Sequence, residues 1–328
     1  MTRIGIISTA RINHLGMILP SRKRNDVILE AIASQTPDKV KKYALENGFN
    51  SFYDNYDALI NAKNIDAVYI SLPNIHHFEY IEKCILAQKH VLCEKPICLS
   101  YEELIYLDQL ARKHNVFIME ALHYYFYPPL INLVKVIKSE FKRIDRITLF
   151  LGFPPPPKRD IRLNPKLKGG AFNHLGCYLL HFLTWVLKGS HFKKTDFNQV
   201  MLNGVDIKTK ALIEAQSSIF TTECDITVSF DHSSIESFAT IEGDDALFLK
   251  INHAFTPTSF YDLSCPHKNI LSIESNHPSF QSKISIHNLK NFTTYDYQLE
   301  YFIKRLNSIS KTPEIHLDAY RIKNTLTT

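Results

Sequence analysis

The first 120 residues alternate short runs of β-branched and apolar residues with segments of helical periodicity. This alternation is typical of βαβ units, which lay parallel strands into one sheet and cover its faces with helices. Strands are predicted at residues 3–8, 27–33, 66–72, 90–94 and 116–119, with a short one near Phe52. Helices are predicted at residues 11–23, 37–47, 55–62, 76–88 and 100–114. Six strands with intervening helices predict a doubly wound sheet of the dinucleotide-binding type.

Beyond Pro128–Pro129 the pattern changes to a helix and then to longer strands separated by polar loops. These features predict an α+β domain with a mainly antiparallel sheet. Its strands are expected at residues 144–153, 211–219, 222–231, 235–242, 246–252, 269–275 and 282–287. Gly243–Asp245 predicts a hairpin turn between two of them. Residues 291–308 predict a final amphipathic helix that returns towards the first domain.

A chain of 328 residues is too long for one core, so two domains are expected. We predict a Rossmann domain over residues 1–122 and an α+β substrate-binding and oligomerisation domain over residues 123–328. The net charge of +5 is mild and the basic residues are scattered. Neither nucleic acid nor an anionic membrane is therefore an expected partner.

Six cysteines without a CxxC pair indicate reduced, mostly buried thiols, because a chain of this size needs no disulfide staples. No stretch approaches the ~20 apolar residues of a membrane span. No export signal precedes the strand-like residues Ile4–Ile7. The expected location is the cytoplasm.

The strand predicted over residues 90–94 ends at a charged pair followed by a proline, Glu94, Lys95 and Pro96. Pro96 fixes its own φ and pushes Lys95 towards extended geometry, so the chain leaves the sheet there. Ligands of open α/β sheets gather at the carboxyl ends of the strands. The run therefore predicts that Lys95 delivers an ammonium to a cleft, with an ordinary solvated lysine as the alternative.

The first βα turn carries a modified form of the dinucleotide-binding glycine pattern. Ser8, Ala10 and Asn13 stand at the three positions of G-x-G-x-x-G/A. Small residues at positions 8 to 10 still leave backbone N–H groups at a helix start exposed to an anion. The turn is therefore a candidate pyrophosphate site, and a plain βα turn is the alternative.

Two further strand ends carry polar loops. After the second strand, Ser34 and Gln35 offer a hydroxyl and an amide, but no Asp or Glu is present to hold a ribose 2′-hydroxyl. This favours NADP slightly, with Lys39 as a phosphate partner. After the fourth strand, Leu72–His77 is another polar loop, and an ordinary surface loop is its alternative interpretation.

Short motifs along nearly the whole chain match those of one known family. The most specific of them is Glu94-Lys95-Pro96 at its distance from Pro73-Asn74. The set comprises Gly5–Ile12, Ala31–Ser34, Tyr53, Tyr56–Leu59, Asp66–Ile70, Pro73–Asn74, His77, Lys89–Pro96 and Glu120–Ala121. With these motifs the chain resembles the Gfo/Idh/MocA oxidoreductases. The resemblance implies that Lys95 lies beside the nicotinamide and the reacting carbon, and that the peptide before Pro96 is cis.

The resemblance implies NADP or NAD as the cofactor. The expected cofactor-binding residues are Ser8, Thr9, Ala10, Arg11, Ile12, Ser34, Gln35, Lys39, Leu72, Pro73, Asn74, His77, Glu94 and Lys95. Gln35 and Tyr125 depart from the family pattern. Gln35 stands where relatives usually have Arg, which weakens the inference of NADP, and Tyr125 replaces an Arg among the substrate-binding residues.

Residues 169–181 carry a second chemical signal. Helical spacing places His174 and Tyr178 on one face, with His181 a further turn along. In relatives the position of Tyr178 is an acid/base His or Tyr and that of His174 is usually Asp. The resemblance thus implies Tyr178 as proton donor, with His174 beside it in the catalytic and substrate-binding set. A helix-packing Tyr178 and a hydrogen-bonded core His174 are the alternatives. No metal site is expected, because no further imidazole or thiolate has recognisable ligand spacing.

Residues 154–170 form a predicted loop that opens with four prolines. Such a run is compatible with an SH3-type ligand, but inside a folded chain a stiff active-site rim is the favoured interpretation. Arg162 matches a position that some relatives use near the pocket, so it is a candidate to bind a substrate oxygen or phosphate.

The leading hypothesis is reversible hydride transfer between a nicotinamide and a secondary alcohol or ketone of a small carbohydrate-like molecule. Tyr178 would donate the proton, Lys95 would stabilise alkoxide charge and His174 would relay a proton. Two rivals remain: a nucleotide-binding sensor or scaffold of the same descent, and a non-redox enzyme that oxidises and re-reduces its substrate internally. The one-sided sheet, together with the resemblance, implies a homodimer or homotetramer.

Overall fold

The structure, a computed structural model, describes residues 1–258, 268–277, 280, 292–308 and 311–328. The chain divides into two compact units. Unit 1 comprises Met1–His123 and Tyr295–Ile315, and unit 2 comprises Tyr124–Thr294 and His316–Thr328. The helices in the described ranges are α1 (Leu19–Arg22), α2 (Pro37–Asn47), α3 (Tyr56–Ile60), α4 (His77–Leu86), α5 (Tyr101–His114), α6 (Pro128–Glu140), α7 (Ala171–Val186), α8 (Thr294–Leu306) and α9 (Leu317–Thr327).

Six parallel strands form the sheet of unit 1. They are β1 (Thr2–Ile7), β2 (Val27–Ala33), β3 (Ser51–Tyr53), β4 (Ala67–Ile70), β5 (His90–Cys93) and β6 (Ile118–Glu120). Their order across the sheet is β3-β2-β1-β4-β5-β6. This confirms the predicted doubly wound arrangement, in which the strand order reverses between β1 and β4.

The helix starts of unit 1 follow the local sequence. Pro37 opens α2 at the predicted residue. Ser100 caps α5 through a capping box, since its Oγ accepts the N–H of Glu103 at 3.1 Å and the Glu103 carboxylate accepts the N–H of Ser100 at 3.3 Å.

The helix predicted over residues 11–23 differs in form from the observed one. The chain makes a π-helix over His14–Ile18 and only then the short α1. Pro20 has no N–H to bond the carbonyl of Gly16, so the regular hydrogen-bond ladder cannot continue through this point.

Helix α8 confirms the amphipathic helix predicted over residues 291–308, and it packs within unit 1. Phe302 lies 5.7 Å from Phe117 between ring centroids, and Lys23 forms an ion pair with the buried Asp296 at 2.7 Å. The prediction that this is the final helix is wrong, because α9 follows it and belongs to unit 2. The buried residues of α9 include the polar Lys323 beside its apolar positions, which obscures the helical pattern.

The described residues of unit 2 form a sheet of seven strands that is antiparallel except for one pair of strands. Its strands are β7 (Ile144–Gly152), β8 (His191–Leu202), β9 (Val205–Gln216), β10 (Thr221–Ser229), β11 (Glu236–Gly243), β12 (Phe248–Asn252) and β13 (Ser272–Ser275). The order is β13-β12-β11-β7-β10-β9-β8, and β7 pairs with β10 in parallel. The predicted α+β class and the predicted turn between β11 and β12 are confirmed. The strand predicted at 282–287 lies outside the described residues.

Sequence patterning missed β8 and misplaced the start of its neighbour β9. Among the strands in the described ranges, β8 is an edge strand that pairs with β9 alone, and most of its side chains are exposed. An edge strand without a buried face shows no clear alternation, so its polar sequence resembles a loop. The strand predicted at residues 269–275 is shorter than expected, because Asn269 forms only an isolated bridge with Thr258.

The cysteines in the described ranges are buried free thiols, as predicted, and Cys265 lies outside those ranges. Across the described part of the chain, no helix has both the length and the apolar character that crossing a membrane requires.

Candidate active site

Lys95 stands in the loop that follows β5, where the buried strand residues end. Its side chain is half-buried, and the peptide bond between Lys95 and Pro96 is cis, as the resemblance implied. On the strand side, the N–H of Glu94 donates to Ile70 at 2.9 Å, so the sheet ladder continues to the residue before the lysine. Strand β5 therefore delivers Lys95 to the carboxyl edge of the sheet.

The peptide unit between Pro96 and Ile97 is held at both ends. Nδ1 of His77 lies 2.7 Å from the carbonyl oxygen of Pro96, and the N–H of Ile97 donates to Oε1 of Glu120 at 3.1 Å. His77 and Glu120 are both fully buried. The second ring nitrogen of His77 lies 2.8 Å from the carbonyl oxygen of Leu72.

His77 thus contacts backbone on both sides of its ring. Burial lowers the pKa of His77, and the two carbonyl acceptors oppose that fall. The expectation that His77 binds the cofactor remains a prediction. What the geometry shows is a bond between the loop after β4 and the loop after β5.

Glu94 is supported by a tyrosine that sequence reasoning did not select. The hydroxyl of Tyr69 donates to Oε1 of Glu94 at 2.6 Å, and Tyr69 is fully buried. Burial raises the pKa of Glu94, while the Lys95 ammonium and the bond from Tyr69 oppose that rise. Gly16 is required beside this pair, because a Cβ there would lie 2.6 Å from the Tyr69 hydroxyl oxygen.

His123 is a second buried group near the lysine. Its ring packs on Tyr295 with centroids 4.4 Å apart, and both residues belong to unit 1. Burial, and to a smaller degree the Lys95 ammonium, lowers the pKa of His123 to about 3. His123 is therefore a neutral neighbour of Lys95 at physiological pH.

The first turn reaches a glycine-like conformation without glycine. Ser8 has φ of 106°, a value at which L side chains are strained. Its Oγ lies 2.9 Å from Oγ of Ser71 and accepts the N–H of Ala10 at 3.1 Å. The buried Asn13 donates from Nδ2 to the Ser8 carbonyl at 2.9 Å. Side-chain hydrogen bonds therefore stabilise a backbone conformation at Ser8 that usually requires glycine.

The remaining candidate cofactor residues of unit 1 lie at three strand ends. Residues 8–12 of the first turn are half-buried or exposed, whereas most residues of β1 before them are buried. After β2, Ser34 is buried while Gln35 and Lys39 are exposed. After β4, Leu72 and Asn74 are buried. The accessible first turn and the absence of an acid from residues 34–36 after β2 are compatible with a dinucleotide.

In unit 2, the candidate acid/base residues lie on α7, whose first turn is capped from a distant strand. Oδ2 of Asp206 in β9 accepts the N–H of Phe172 at 2.7 Å and the hydroxyl of Thr209 at 2.7 Å. Gly170 has φ of 112°, and a Cβ there would overlap Oδ1 of Asp206. Sequence reasoning missed Asp206, because the cap comes from residues far away in the chain.

His174 and Tyr178 are both buried on α7, which confirms the predicted helix. The backbone carbonyl of Tyr178 accepts a bond from the Tyr124 hydroxyl at 3.1 Å. The ring of His174 lies 6.2 Å from that of Phe230. The Arg162 guanidinium also lies over the Phe230 ring, 5.6 Å from the ring centroid.

Arg162 is engaged within its own loop. Its Nε and Nη2 donate to the two carboxylate oxygens of Asp160, each at 2.9 Å. The pair is part-buried, and the loop carries two short 3₁₀ turns. Any role of Arg162 in binding substrate therefore starts from a guanidinium that Asp160 already orients.

His181, one turn beyond Tyr178, belongs to an aromatic cluster. Its Nδ1 lies 2.6 Å from the Tyr124 hydroxyl, and its ring lies 4.0 Å from that of His316. Tyr125 packs edge-on against His181 at 4.8 Å and against Trp185 at 4.9 Å. Burial lowers the pKa of His316 to about 3 and holds that of His181 well below its usual value. These histidines act as neutral packing groups.

Within the described residues, no group of three or more His, Cys, Asp or Glu side chains could hold a metal ion. The structure gathers the Lys95 group in unit 1 and the group of His174, Tyr178 and Arg162 in unit 2. The functional neighbours that sequence reasoning missed are Tyr69, Glu120 and Asp206, which act through contacts distant in sequence.

The fold and these sites define a protein of the Rossmann dinucleotide-binding class with an additional α+β unit. Residues 2–122 match the model of the Gfo/Idh/MocA family, described as an oxidoreductase family with an NAD-binding Rossmann fold. The match covers the nucleotide-binding part of unit 1, and over residues 2–122 it confirms the resemblance found in the sequence.

Three curated relatives are similar over part of their length. D-xylose 1-dehydrogenase (NADP(+)) 2 of Haloferax volcanii is 33% identical over 53% of this chain and 54% of its own. A dTDP-3,4-didehydro-2,6-dideoxy-α-D-glucose 3-reductase of Saccharopolyspora spinosa is 29% identical over 65% of each chain. A trans-1,2-dihydrobenzene-1,2-diol dehydrogenase of Xenopus laevis is 30% identical over 57% of each chain. The matched region thus spans between about half and two thirds of these relatives.

Two solved structures share the fold over almost the whole chain. A 3-ketoreductase from Actinomadura kijaniata, crystallised with TDP-benzene and NADP, has a TM-score of 0.81 at 21% identity and covers 99% of this chain and 94% of its own. An aldose–aldose oxidoreductase from Caulobacter crescentus, complexed with glycerol, has a TM-score of 0.80 at 16% identity, with coverages of 99% and 96%.

Proposed function

We propose that the protein is an NAD(P)-dependent oxidoreductase acting on a secondary alcohol or ketone of a sugar, nucleotide sugar or related cyclic polyol. The observation that carries the proposal is Lys95, which β5 delivers to the carboxyl edge of a doubly wound sheet in a peptide fastened by buried side chains. The relatives named above act on a sugar, a dTDP-sugar and a dihydrodiol. A cyclic substrate with neighbouring oxygens is the chemistry common to them.

The proposed cofactor site lies at the first turn and at the ends of β2 and β4. Residues 8–12, which are half-buried or exposed and stand before a helical segment, suit a pyrophosphate. The absence of Asp and Glu from residues 34–36, directly after β2, with the exposed Lys39 nearby, favours NADP over NAD, because a 2′-phosphate needs no carboxylate near it. The nicotinamide would supply or accept the hydride.

The protein's own residues supply orientation and protons in this proposal. The Lys95 ammonium holds the reacting oxygen and stabilises the negative charge that develops on it during reduction. Tyr178 donates a proton to that oxygen, and His174 passes a proton onward or holds a neighbouring hydroxyl. Tyr125 and Arg162 are the proposed substrate contacts, with Arg162 oriented by Asp160.

Solved structures of one relative give indirect support to the proposed roles of Lys95 and Tyr178. Structures of the Actinomadura 3-ketoreductase include variants with one lysine replaced by Ala or Glu, and a variant with one tyrosine replaced by Phe. The two replaced residues lie nearly as far apart in that chain as Lys95 and Tyr178 do here. This spacing agrees with the proposed roles.

A substrate screen tests the proposal. Sugars, polyols and nucleotide sugars are offered with NADH, NADPH and their oxidised forms, and the nicotinamide absorbance is followed. We expect turnover of at least one cyclic substrate at an ordinary enzymatic rate. Dinucleotide binding without any turnover would instead favour a sensor or scaffold, and a nicotinamide that copurifies and never leaves would favour internal oxidation and re-reduction.

Lys95→Met then tests the central assignment. We expect turnover to fall to background while the dissociation constant for NADPH changes by less than about threefold, because the change removes an ammonium from the reacting end of the site. Lys83→Met, at an exposed ion pair on α4, is the matched control. Unchanged turnover in Lys95→Met would contradict the assignment.

We also propose that the chain assembles as a homodimer or homotetramer through the sheet of unit 2, within the cytoplasm. The exposed Val200, Met201 and Leu202 on β8, and the free thiols of the described cysteines, support these two points respectively. Light scattering at micromolar concentration checks the assembly, and a monomer would contradict it.

A further inference from the structure

We propose that His77 and Glu120 are positioning residues that clamp the Pro96–Ile97 peptide and thereby fix the location of Lys95. The inference rests on the proposed function, since it concerns how the proposed catalytic lysine is held. It assigns these two buried side chains a role in catalysis through Lys95 rather than direct contact with substrate.

The clamp joins three neighbouring strand ends of unit 1. His77 begins α4 after the loop that follows β4, and Glu120 is the last residue of β6. Strands β4 and β6 flank β5 in the sheet. One side chain therefore comes from each side of the strand that carries Lys95.

The direction of each hydrogen bond follows from the chemistry of the groups. A carbonyl oxygen only accepts, so His77 bonds Pro96 at 2.7 Å when its proton is on Nδ1, in the Nδ1–H tautomer or in the imidazolium that also bonds Leu72. A backbone N–H only donates, so Glu120 accepts from Ile97 at 3.1 Å. Both side chains are fully buried, and bonds shielded from water are strong and costly to leave unmade.

A peptide held at its carbonyl and at its N–H cannot rotate as a plane. Only Pro96 separates it from Lys95, and the proline ring fixes φ of that residue. On the other side, the N–H of Glu94 is bonded to Ile70 in β4 at 2.9 Å. The backbone of Lys95 is therefore fixed from both directions, and the clamp supplies the anchor on its carboxyl side.

Conservative substitutions separate positioning from simple packing. In His77→Asn the amide nitrogen can replace Nδ1 as donor to Pro96, whereas in His77→Gln it replaces Nε2 and faces Leu72 instead. Glu120→Gln keeps an acceptor for Ile97, and Glu120→Ala removes it. The matched control is His90→Asn, because His90 stands at the opposite end of β5 and accepts the N–H of Phe117 at 2.9 Å.

The experiment measures kcat, KM and the NADPH dissociation constant of these variants with the best substrate from the screen, together with Tm. We expect His77→Gln and Glu120→Ala to lose about 10- to 100-fold in kcat, since a misplacement of about 1 Å has effects of that size. His77→Asn, Glu120→Gln and His90→Asn should stay within about fivefold of the unchanged chain. NADPH affinity should change by less than about threefold in Glu120→Ala, Glu120→Gln and His90→Asn.

Amide hydrogen exchange at Ile97 provides a readout independent of activity. Exchange there should accelerate at least about tenfold in Glu120→Ala but not in His90→Asn, because only the first loses the acceptor. Unaltered exchange would overturn the clamp.

Failure of the inference and failure of the proposed function are distinguishable. An unchanged chain that turns over no substrate contradicts the proposed function. An active chain whose His77→Gln and Glu120→Ala variants keep full kcat contradicts the positioning role alone, as does an equal loss of kcat in His77→Asn and His77→Gln.

Discussion

The two units hold their proposed functional side chains by different physical means. In unit 1, Lys95 lies in a loop, and buried side chains from neighbouring strand ends fasten that loop through hydrogen bonds such as that from His77 to Pro96. In unit 2, His174 and Tyr178 lie on a long buried helix whose own backbone ladder fixes their spacing. A loop needs many polar anchors, whereas a helix needs one good start and close packing.

The difference has a consequence for how each unit responds to substitution. Removing one anchor in unit 1 frees a few backbone atoms next to Lys95, so catalysis should suffer more than folding. Removing the Asp206 cap in unit 2 weakens the whole first turn of α7, so folding should suffer first. Substitutions in each unit test this contrast.

Tyr178→Phe should lower kcat by about a thousandfold with little change in stability, because it removes the proposed proton donor and leaves the ring. Steady-state kinetics and a thermal melt measure the two quantities. Tyr127→Phe is the control in the same unit, since the Tyr127 hydroxyl donates to Asn269 at 2.9 Å and has no assigned part in the reaction. A similar loss of kcat in both variants would contradict a specific role for the Tyr178 hydroxyl.

Asp206→Ala should lower the free energy of unfolding by about 2–3 kcal/mol, because it removes the cap of α7 and leaves the buried Thr209 hydroxyl without its acceptor. Urea denaturation measures the change. Asp225→Ala, which breaks a partly exposed ion pair with Lys210 on the same sheet, should cost less than about 1 kcal/mol. Equal losses would show that the cap is no stronger than a surface pair.

Acid should destabilise both units through their buried neutral histidines. Burial lowers the pKa of His90 to about 4 and that of His316 to about 3, against an ordinary value of 6.5. Between the folded and unfolded pKa values, these histidines are protonated in the unfolded chain and neutral in the folded chain. Their contribution to the free energy of unfolding is therefore largest above pH 6.5 and falls as the pH drops. Each such histidine should contribute about 1.4 kcal/mol per pH unit within its window.

Urea denaturation at a series of pH values from 7.5 to 4.5 measures this slope. In His90→Gln the slope should become shallower by about 1.4 kcal/mol per pH unit, because one titrating group is removed. A slope identical to that of the unchanged chain would mean that His90 is protonated in the folded state.

Local sequence patterns predicted the parts of the fold that local physics controls. Strand β2 and helix α2 appear at the predicted bounds, because apolar β-branched residues and a Pro37 start are local signals. Strand β8 escaped prediction, because an exposed edge has no buried face to impose alternation. The sequence therefore predicts elements best where their side chains are buried on at least one face.

The sequence predicts the central lysine of the candidate site but not the side chains that hold the site in place. Lys95 could be found from the strand that ends before a proline. Glu120 and Asp206 could not be assigned their bonds, because their partners Ile97 and Phe172 lie 23 and 34 residues away and only the tertiary fold brings them together. Pairings at that separation leave no periodic trace in a single sequence.

The smallest predicted effect concerns Ser8, where two opposing contributions nearly cancel. Glycine at this position would relieve the strain of φ at 106°, worth about 1 kcal/mol, but would lose the hydroxyl bonds to Ser71 and Ala10, worth about 1 kcal/mol in total. Ser8→Gly should therefore leave the free energy of unfolding within about 1 kcal/mol of the unchanged chain. Ser8→Ala keeps the strain and loses the bonds, so it should be less stable than Ser8→Gly by about 1 kcal/mol. Urea denaturation of the pair measures the difference, and equal stability would show that the turn relaxes without its hydroxyl.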